Sequence, residues 1–255
     1  MNYAIVREIS ASIGNCEISF VSREPIDVEL ARQQHHAYQQ ALVELGCHLI
    51  ALPAEDALPD AVFVEDVALV LEEVAVMTRP GAPSRRAEGT TVAAALGAYR
   101  PLMTIEAPGM LDGGDIMRIG KTIYVGQSAR SNASAVEQLR ALLAPHGYRV
   151  ESVPMRDCLH LKSAVTTVAD DTLLVNPQWL VGESFAGFRR IEVDPAEPHA
   201  ANALRIGDTL VYPSCFPRTL ARLQAAGIAV RTVDVSELQK AEGAVTCCSL
   251  VFSAA

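Results

Sequence analysis

Short apolar runs, each begun by polar residues, recur along this chain about every fifty residues. The copies start near Phe63-Val64-Glu65-Asp66, Asp112-Gly113-Gly114-Asp115, His160-Leu161-Lys162-Ser163, Asn202-Ala203-Leu204 and Thr246-Cys247-Cys248-Ser249. After each start the pattern predicts a strand, a turn and a returning strand. Val62–Leu71 pairs in this way with Val74–Thr78, and Ile116–Ile119 turns at Gly120-Lys121 into Thr122–Val125. Ala164–Val168 turns at Asp170-Asp171 into Thr172–Val175, and Ala203–Ile206 turns at Gly207-Asp208 into Thr209–Tyr212. Helical periodicity separates the hairpins over Val28–Cys47, Gly89–Tyr99, Ala133–Ala144 and Pro217–Ala226. Asn132 is placed to cap the third of these and Gly147 to close it. Isolated strands are expected at Cys47–Leu52, Met103–Ala107, Arg149–Val153, Arg189–Val193 and Ala229–Val233. Each is assigned to the unit whose hairpin follows it.

The fifth copy, Cys248–Phe252, ends without a returning strand. Tyr3–Arg7 at the N-terminus supplies the missing one, so the units close into a ring that protects its own edges. The expected fold is an α/β ring of five ββαβ units, with residues 1–255 forming one domain. A doubly wound α/β sheet is the alternative, but the hairpins argue against an all-parallel sheet.

Aligning the copies on their apolar runs gives Asp66, Asp115, Ser163 and Asn202 one shared offset. Asp112 and His160 both stand three residues earlier. Equal offsets in adjoining units put side chains at similar depth in the central channel, so Asp112 is placed to orient the His160 imidazole. Cys247 enters from the last unit, beside the first across the closure. A lone cysteine is more often a small buried apolar group than a nucleophile. Cysteine, histidine and aspartate together at repeated strand starts form a catalytic inventory. The glycines of Asp112-Gly113-Gly114-Asp115 are also compatible with a tight turn.

Composition narrows the class. Half of the 255 residues are hydrophobic and 20% are charged, enough to bury a sizeable core. The net charge of −9 disfavours non-specific nucleic-acid binding. The six cysteines lack C-x-x-C spacing, which points to free thiols and no metal site. No signal peptide and no apolar run of about eighteen residues is apparent, so a cytoplasmic, non-membrane protein is expected.

Several segments together carry a family resemblance. They are Pro59–Asp66, Thr78–Gly81 with Ser84-Arg85-Arg86, Ile105–Gly109 before Leu111–Asp115, Ser128-Ala129-Arg130, Leu159–Lys162 and Cys247–Leu250. The chain resembles, end to end, the dimethylarginine dimethylaminohydrolases of the guanidine-modifying (pentein) superfamily. The resemblance implies a five-bladed α/β propeller that hydrolyses Nω-methylated arginine to citrulline and an amine through a covalent cysteine intermediate, without cofactor or metal. It implies that Cys247 attacks the guanidinium carbon, His160 moves protons and Asp112 orients His160. Asp66, Glu65 and Asp60 would bind the guanidinium, and Phe63 would line the substrate site. Arg85 and Arg130, on mobile loops, would hold the α-carboxylate, and Ile18 would offer a backbone contact to the amino group. It further implies a small guanidino substrate as partner and is compatible with a homodimer. An arginine deiminase-type reaction and, further off, a non-enzymatic ribosome-binding propeller are the alternatives.

Overall fold

The computed structural model describes residues 1–253. Five three-stranded sheets are arranged around a central channel. In each sheet an inner strand pairs antiparallel with a middle strand, which pairs parallel with an outer one. The first blade joins Leu250–Ser253, Asn2–Arg7 and Cys47–Leu52. The second joins Ala68–Val70, Ala75–Met77 and Leu102–Thr104. The third joins Ile116–Ile119, Thr122–Gln127 and Arg149–Pro154. The fourth joins Val165–Ala169, Thr172–Val175 and Arg189–Glu192. The fifth joins Leu204–Ile206, Thr209–Pro213 and Ala229–Val233.

A parallel pair needs a crossover, and helices supply four of the five: Val28–Glu44, Gly89–Leu96, Ala133–Leu143 and Pro217–Ala225. The crossover of the fourth blade contains no helix. Side-chain caps mark two helix starts, one of them the expected Asn132. Asp27 accepts a hydrogen bond from the Leu30 amide and Asn132 from the Ala135 amide. Gly147 adopts a left-handed φ of 75° at the turn into the next strand.

The expected closure is observed, with Tyr3 opposite Phe252 and Ile5 opposite Leu250. The unit boundaries differ from the expectation. Cys47–Leu52, Leu102–Thr104, Arg149–Pro154, Arg189–Glu192 and Ala229–Val233 each complete the preceding blade, because a parallel strand docks where its crossover delivers it. The polar strand starts are not strand either. Val64–Val67 and Gly113–Asp115 form 3-10 turns, and Leu161–Ala164 forms one helical turn. Side chains there take amides a ladder would need: Asp66 accepts from Gly114 N and Asp115 from Leu161 N. These turns bring the polar residues to one mouth of the channel. The inner strands line the other mouth, around a cavity of about 460 Å³.

His35 on the first helix is 1% exposed and stacks on Tyr38, whereas His36 faces solvent. Burial, only partly offset by Glu8, lowers the His35 pKa to about 4. The unfolded chain binds a proton near pH 6.5 that the folded chain refuses until about 4. Stability contributed by neutral His35 is therefore lost as pH falls through that window, by about 3 kcal/mol. His35→Phe is expected to remove that component when urea unfolding is compared at pH 7 and pH 4. An unchanged acid loss would refute the assignment.

Candidate active site

The turns at the polar mouth surround a cavity of about 280 Å³, lined by Cys247, His160, Glu65, Asn202 and Thr246 among others. A recess of about 20 Å³ adjoins it and is lined by Asp60, Phe63, Asp66, Arg85 and Arg130. Cys247 and His160 line both spaces.

Asp112 and His160 meet, as their shared offset predicts. His160 Nε2 lies 3.1 Å from Asp112 Oδ2, and Nδ1 lies 3.9 Å from Asp66 Oδ1. Burial alone would draw the imidazole pKa down. The Asp66 charge, the hydrogen bond with Asp112 and the Asp115 charge outweigh it and lift the pKa to about 9. Asp112 is wholly buried and accepts a second hydrogen bond from Gly81 N at 2.8 Å. The run's glycines serve close approach, because neither has a positive φ. A Cβ on Gly113 would lie 1.9 Å from the Glu65 carbonyl oxygen, and one on Gly114 would lie 2.4 Å from His160 Nδ1.

Asp66 accepts from Arg85 NH1 at 2.8 Å and from Gly114 N at 2.9 Å. Burial opposes its charge, but His160 and Arg85 prevail and hold its pKa at about 2. Arg85 is not on a mobile loop. It ends the 3-10 turn Pro83–Arg85, is 4% exposed, and also donates to Glu88 at 2.8 Å. A guanidinium so deeply buried requires carboxylate partners, and Asp66 and Glu88 supply them. Glu88, which the sequence reading missed, has a pKa raised to about 7 because burial outweighs Arg85. Its i, i+3 spacing from Arg85 was the available signal.

Glu65 directs both oxygens away from the recess, accepting from Lys162 Nζ at 2.6 Å and Thr246 Oγ1 at 2.8 Å. Burial raises its pKa against the pull of Lys162. Glu65, Lys162 and Thr246 line the cavities at both mouths and so form the partition between them. Nothing in the repeat pattern singled out Lys162. Asp60 is buried and accepts from Glu17 N at 3.1 Å. Ile18, the next residue, packs its side chain on the core, and Ser19 N is held by Glu242 at 3.0 Å. Arg130 donates to Ser19 Oγ at 3.0 Å, and its NH1 lies 3.8 Å from Asp112 Oδ2. Phe63 is 3% exposed and forms an apolar wall of the recess.

Cys247 is half-buried, and its segment is tied down residue by residue. Tyr38 donates to the Val245 carbonyl, Asn202 donates to Thr246 Oγ1, and Glu65 N donates to the Cys247 carbonyl. Burial, then the Glu65 and Asp66 charges, push the Cys247 thiol up to about 12. The resting thiol is thus protonated at neutral pH, and a cation beside it would favour the thiolate. Cys248 is buried next to it. His199 lines the outer cavity against Trp179, and burial lowers its pKa.

Asp66, Asp112 and His160 place potential metal-ligand atoms within 4.8 Å of one another. Arg85 and Arg130 already face the two carboxylates and His160 is cationic below pH 9, so the cluster is charge-compensated by protein groups. Among the described residues no helix is long and apolar enough to cross a membrane.

The family model described as N,N dimethylarginine dimethylhydrolase, eukaryotic, matches residues 5–182. An N(G),N(G)-dimethylarginine dimethylaminohydrolase of Streptomyces coelicolor is 41% identical, with 97% of this chain and 95% of that protein covered. Its Pseudomonas aeruginosa counterpart is 36% identical, with 89% and 90% covered. A solved structure of the Pseudomonas enzyme, a cysteine-to-serine variant complexed with citrulline, superposes with a TM-score of 0.94 at 34% identity, covering 98% of both chains. The chain belongs to the N(G),N(G)-dimethylarginine dimethylaminohydrolase family.

Proposed function

We propose that this protein hydrolyses Nω-methylated L-arginine to L-citrulline and methylamine or dimethylamine. It is a hydrolase of non-peptide C–N bonds, as its family membership and its superposition on a citrulline-bound relative support. The observation that carries the residue roles is the 3.1 Å His160–Asp112 pair opening onto the same cavity as Cys247.

A guanidinium keeps its proton up to a pH of about 12 and is a poor electrophile. Asp66 faces the recess with a firmly ionised carboxylate, suited to paired hydrogen bonds with such a cation. The bound cation replaces part of the positive charge that Cys247 lacks, and the thiol releases its proton to solvent. The thiolate attacks the guanidinium carbon. His160, cationic below pH 9, gives its proton to the departing amine as the C–N bond breaks. A cysteine thiouronium remains. Neutral His160 then takes one proton from water as the water attacks that carbon, and the C–S bond breaks as the adduct's hydroxyl proton passes to the departing sulfur, which releases citrulline and restores the thiol. Asp112 holds the imidazole in line throughout. Arg130 and Arg85 bind the α-carboxylate, with Arg85 acting from its ion pairs rather than from a free loop. Asp60, expected at the guanidinium, is tied by its hydrogen bond from Glu17 N to the segment of Ile18, and with the Ile18 backbone it receives the α-amino group. Glu65 serves the guanidinium end through Thr246 and the Cys247 segment.

The test is citrulline formation from monomethylarginine, asymmetric dimethylarginine, arginine and agmatine. The methylated substrates are expected to lead. The acid step needs protonated His160, so kcat should fall as pH rises through about 9. No citrulline from either methylated substrate, or arginine preferred by tenfold, would overturn the assignment.

A further inference from the structure

Asp115 ends the Asp112-Gly113-Gly114-Asp115 run, and the reaction above leaves it without a role. It is wholly buried. Its Oδ1 accepts from the backbone amide of Leu161, the residue after His160, at 3.0 Å. Its Oδ2 accepts from Ser128 Oγ and, at 2.6 Å, from Ser131 Oγ. Each hydroxyl in turn accepts a backbone amide: Ser128 Oγ from Arg130 N at 2.9 Å and Ser131 Oγ from Asp112 N at 3.4 Å. The direction of both relays is set, running amide to hydroxyl to carboxylate. A hydroxyl has one proton, and an ionised carboxylate can only accept. One buried side chain therefore holds the segments that carry His160, Asp112 and Arg130. Gly126 leaves room for it, since a Cβ there would lie 2.8 Å from Asp115 Oδ1 and 2.9 Å from Leu161 Cβ.

We propose that Asp115 is a positioning residue, whose carboxylate sets His160 against Asp112 and Arg130 against both. The inference rests on the catalytic reading of those three residues. Asn at this position keeps an acceptor for Leu161 but points an NH₂ at two hydroxyls whose own protons then lose their acceptor, so both hydroxyl-to-carboxylate bonds are lost.

The test compares Asp115→Asn, Ser131→Ala and Ser128→Ala with the wild type by citrulline assay, and follows the His160 ring by NMR titration. Asp115→Asn is expected to lower kcat on the order of 100-fold, the scale of a misplacement of about 1 Å. The His160 pKa should fall, because a negative charge beside its cation is lost. Ser131→Ala, which frees the Asp112 segment, should lower kcat about tenfold and leave KM within about twofold. Ser128→Ala, which frees the Arg130 segment, should raise KM about tenfold and leave kcat within about twofold. Effects on melting temperature alone, with kcat, KM and the His160 titration unmoved, would overturn the proposal. The serine variants decide it if Asp115→Asn does not fold. The NMR titration needs no turnover: a wild type inactive on methylarginines would sink the catalytic reading, while an unmoved His160 titration would sink this one.

Discussion

Cys247→Ser should abolish citrulline formation, with a loss on the order of 10⁴-fold or more. Replacing sulfur with oxygen changes little in volume, so stability should move by less than about 1 kcal/mol. The chemistry changes far more. The thiol is already pushed up to about 12 by burial and by Glu65 and Asp66. A hydroxyl starts higher still, and the charge of a bound guanidinium cannot bring it into range. Ligand binding should survive, because Asp66, Arg85 and Arg130 are untouched. The expected signature is therefore a silent enzyme that still binds methylarginine, read by calorimetry beside the citrulline assay. A serine variant within tenfold of wild-type turnover would remove Cys247 from the mechanism.

Gly114→Ala should cost about 100-fold or more in kcat, although it adds one methyl group. That Cβ would lie 2.4 Å from His160 Nδ1, 2.8 Å from Cγ and 2.9 Å from Asp66 Oδ1. Ordinary contact needs a further ångström or so, and the ring's way out leads away from its 3.1 Å partner, Asp112. Asp66, fixed by Arg85 and by the Gly114 amide itself, cannot give way without breaking an ion pair. Gly187→Ala is the control, because nothing lies within 4 Å of its added Cβ and its φ is not left-handed. It should retain wild-type kcat. Equal behaviour of the two variants in the citrulline assay would refute the steric account.

The two variants probe different kinds of information. Cys247 was legible as chemistry, since a cysteine at a repeated strand start stands out beside His160 and Asp112. Gly114 was legible only as a turn residue, because a sequence records no neighbour forty-six positions away. The same limit hid Glu65's partners. Its adjacency to Asp66 suggested two carboxylates turned toward one guanidinium. In the fold, Lys162 and Thr246 arrive from other blades and take both its oxygens. Arg85 read as a carboxylate-binding cation on a mobile loop until its ion pairs with Asp66 and Glu88 were in view.

The period of the apolar runs, which follows from strand and helix repeats, was enough to determine a ring of five units, its closure by Asn2–Arg7 and the level of Asp112 with His160. Those follow from a pattern that recurs along the chain, each copy of it carried by residues near one another. Tertiary structure alone decided which blade each outer strand joins, which face each carboxylate presents, and that Asp115 gathers the segments of His160, Asp112 and Arg130. An offset along a repeat specifies depth in the channel. It leaves open the angle around it, which is set only when five blades pack and every buried charge must find its partner.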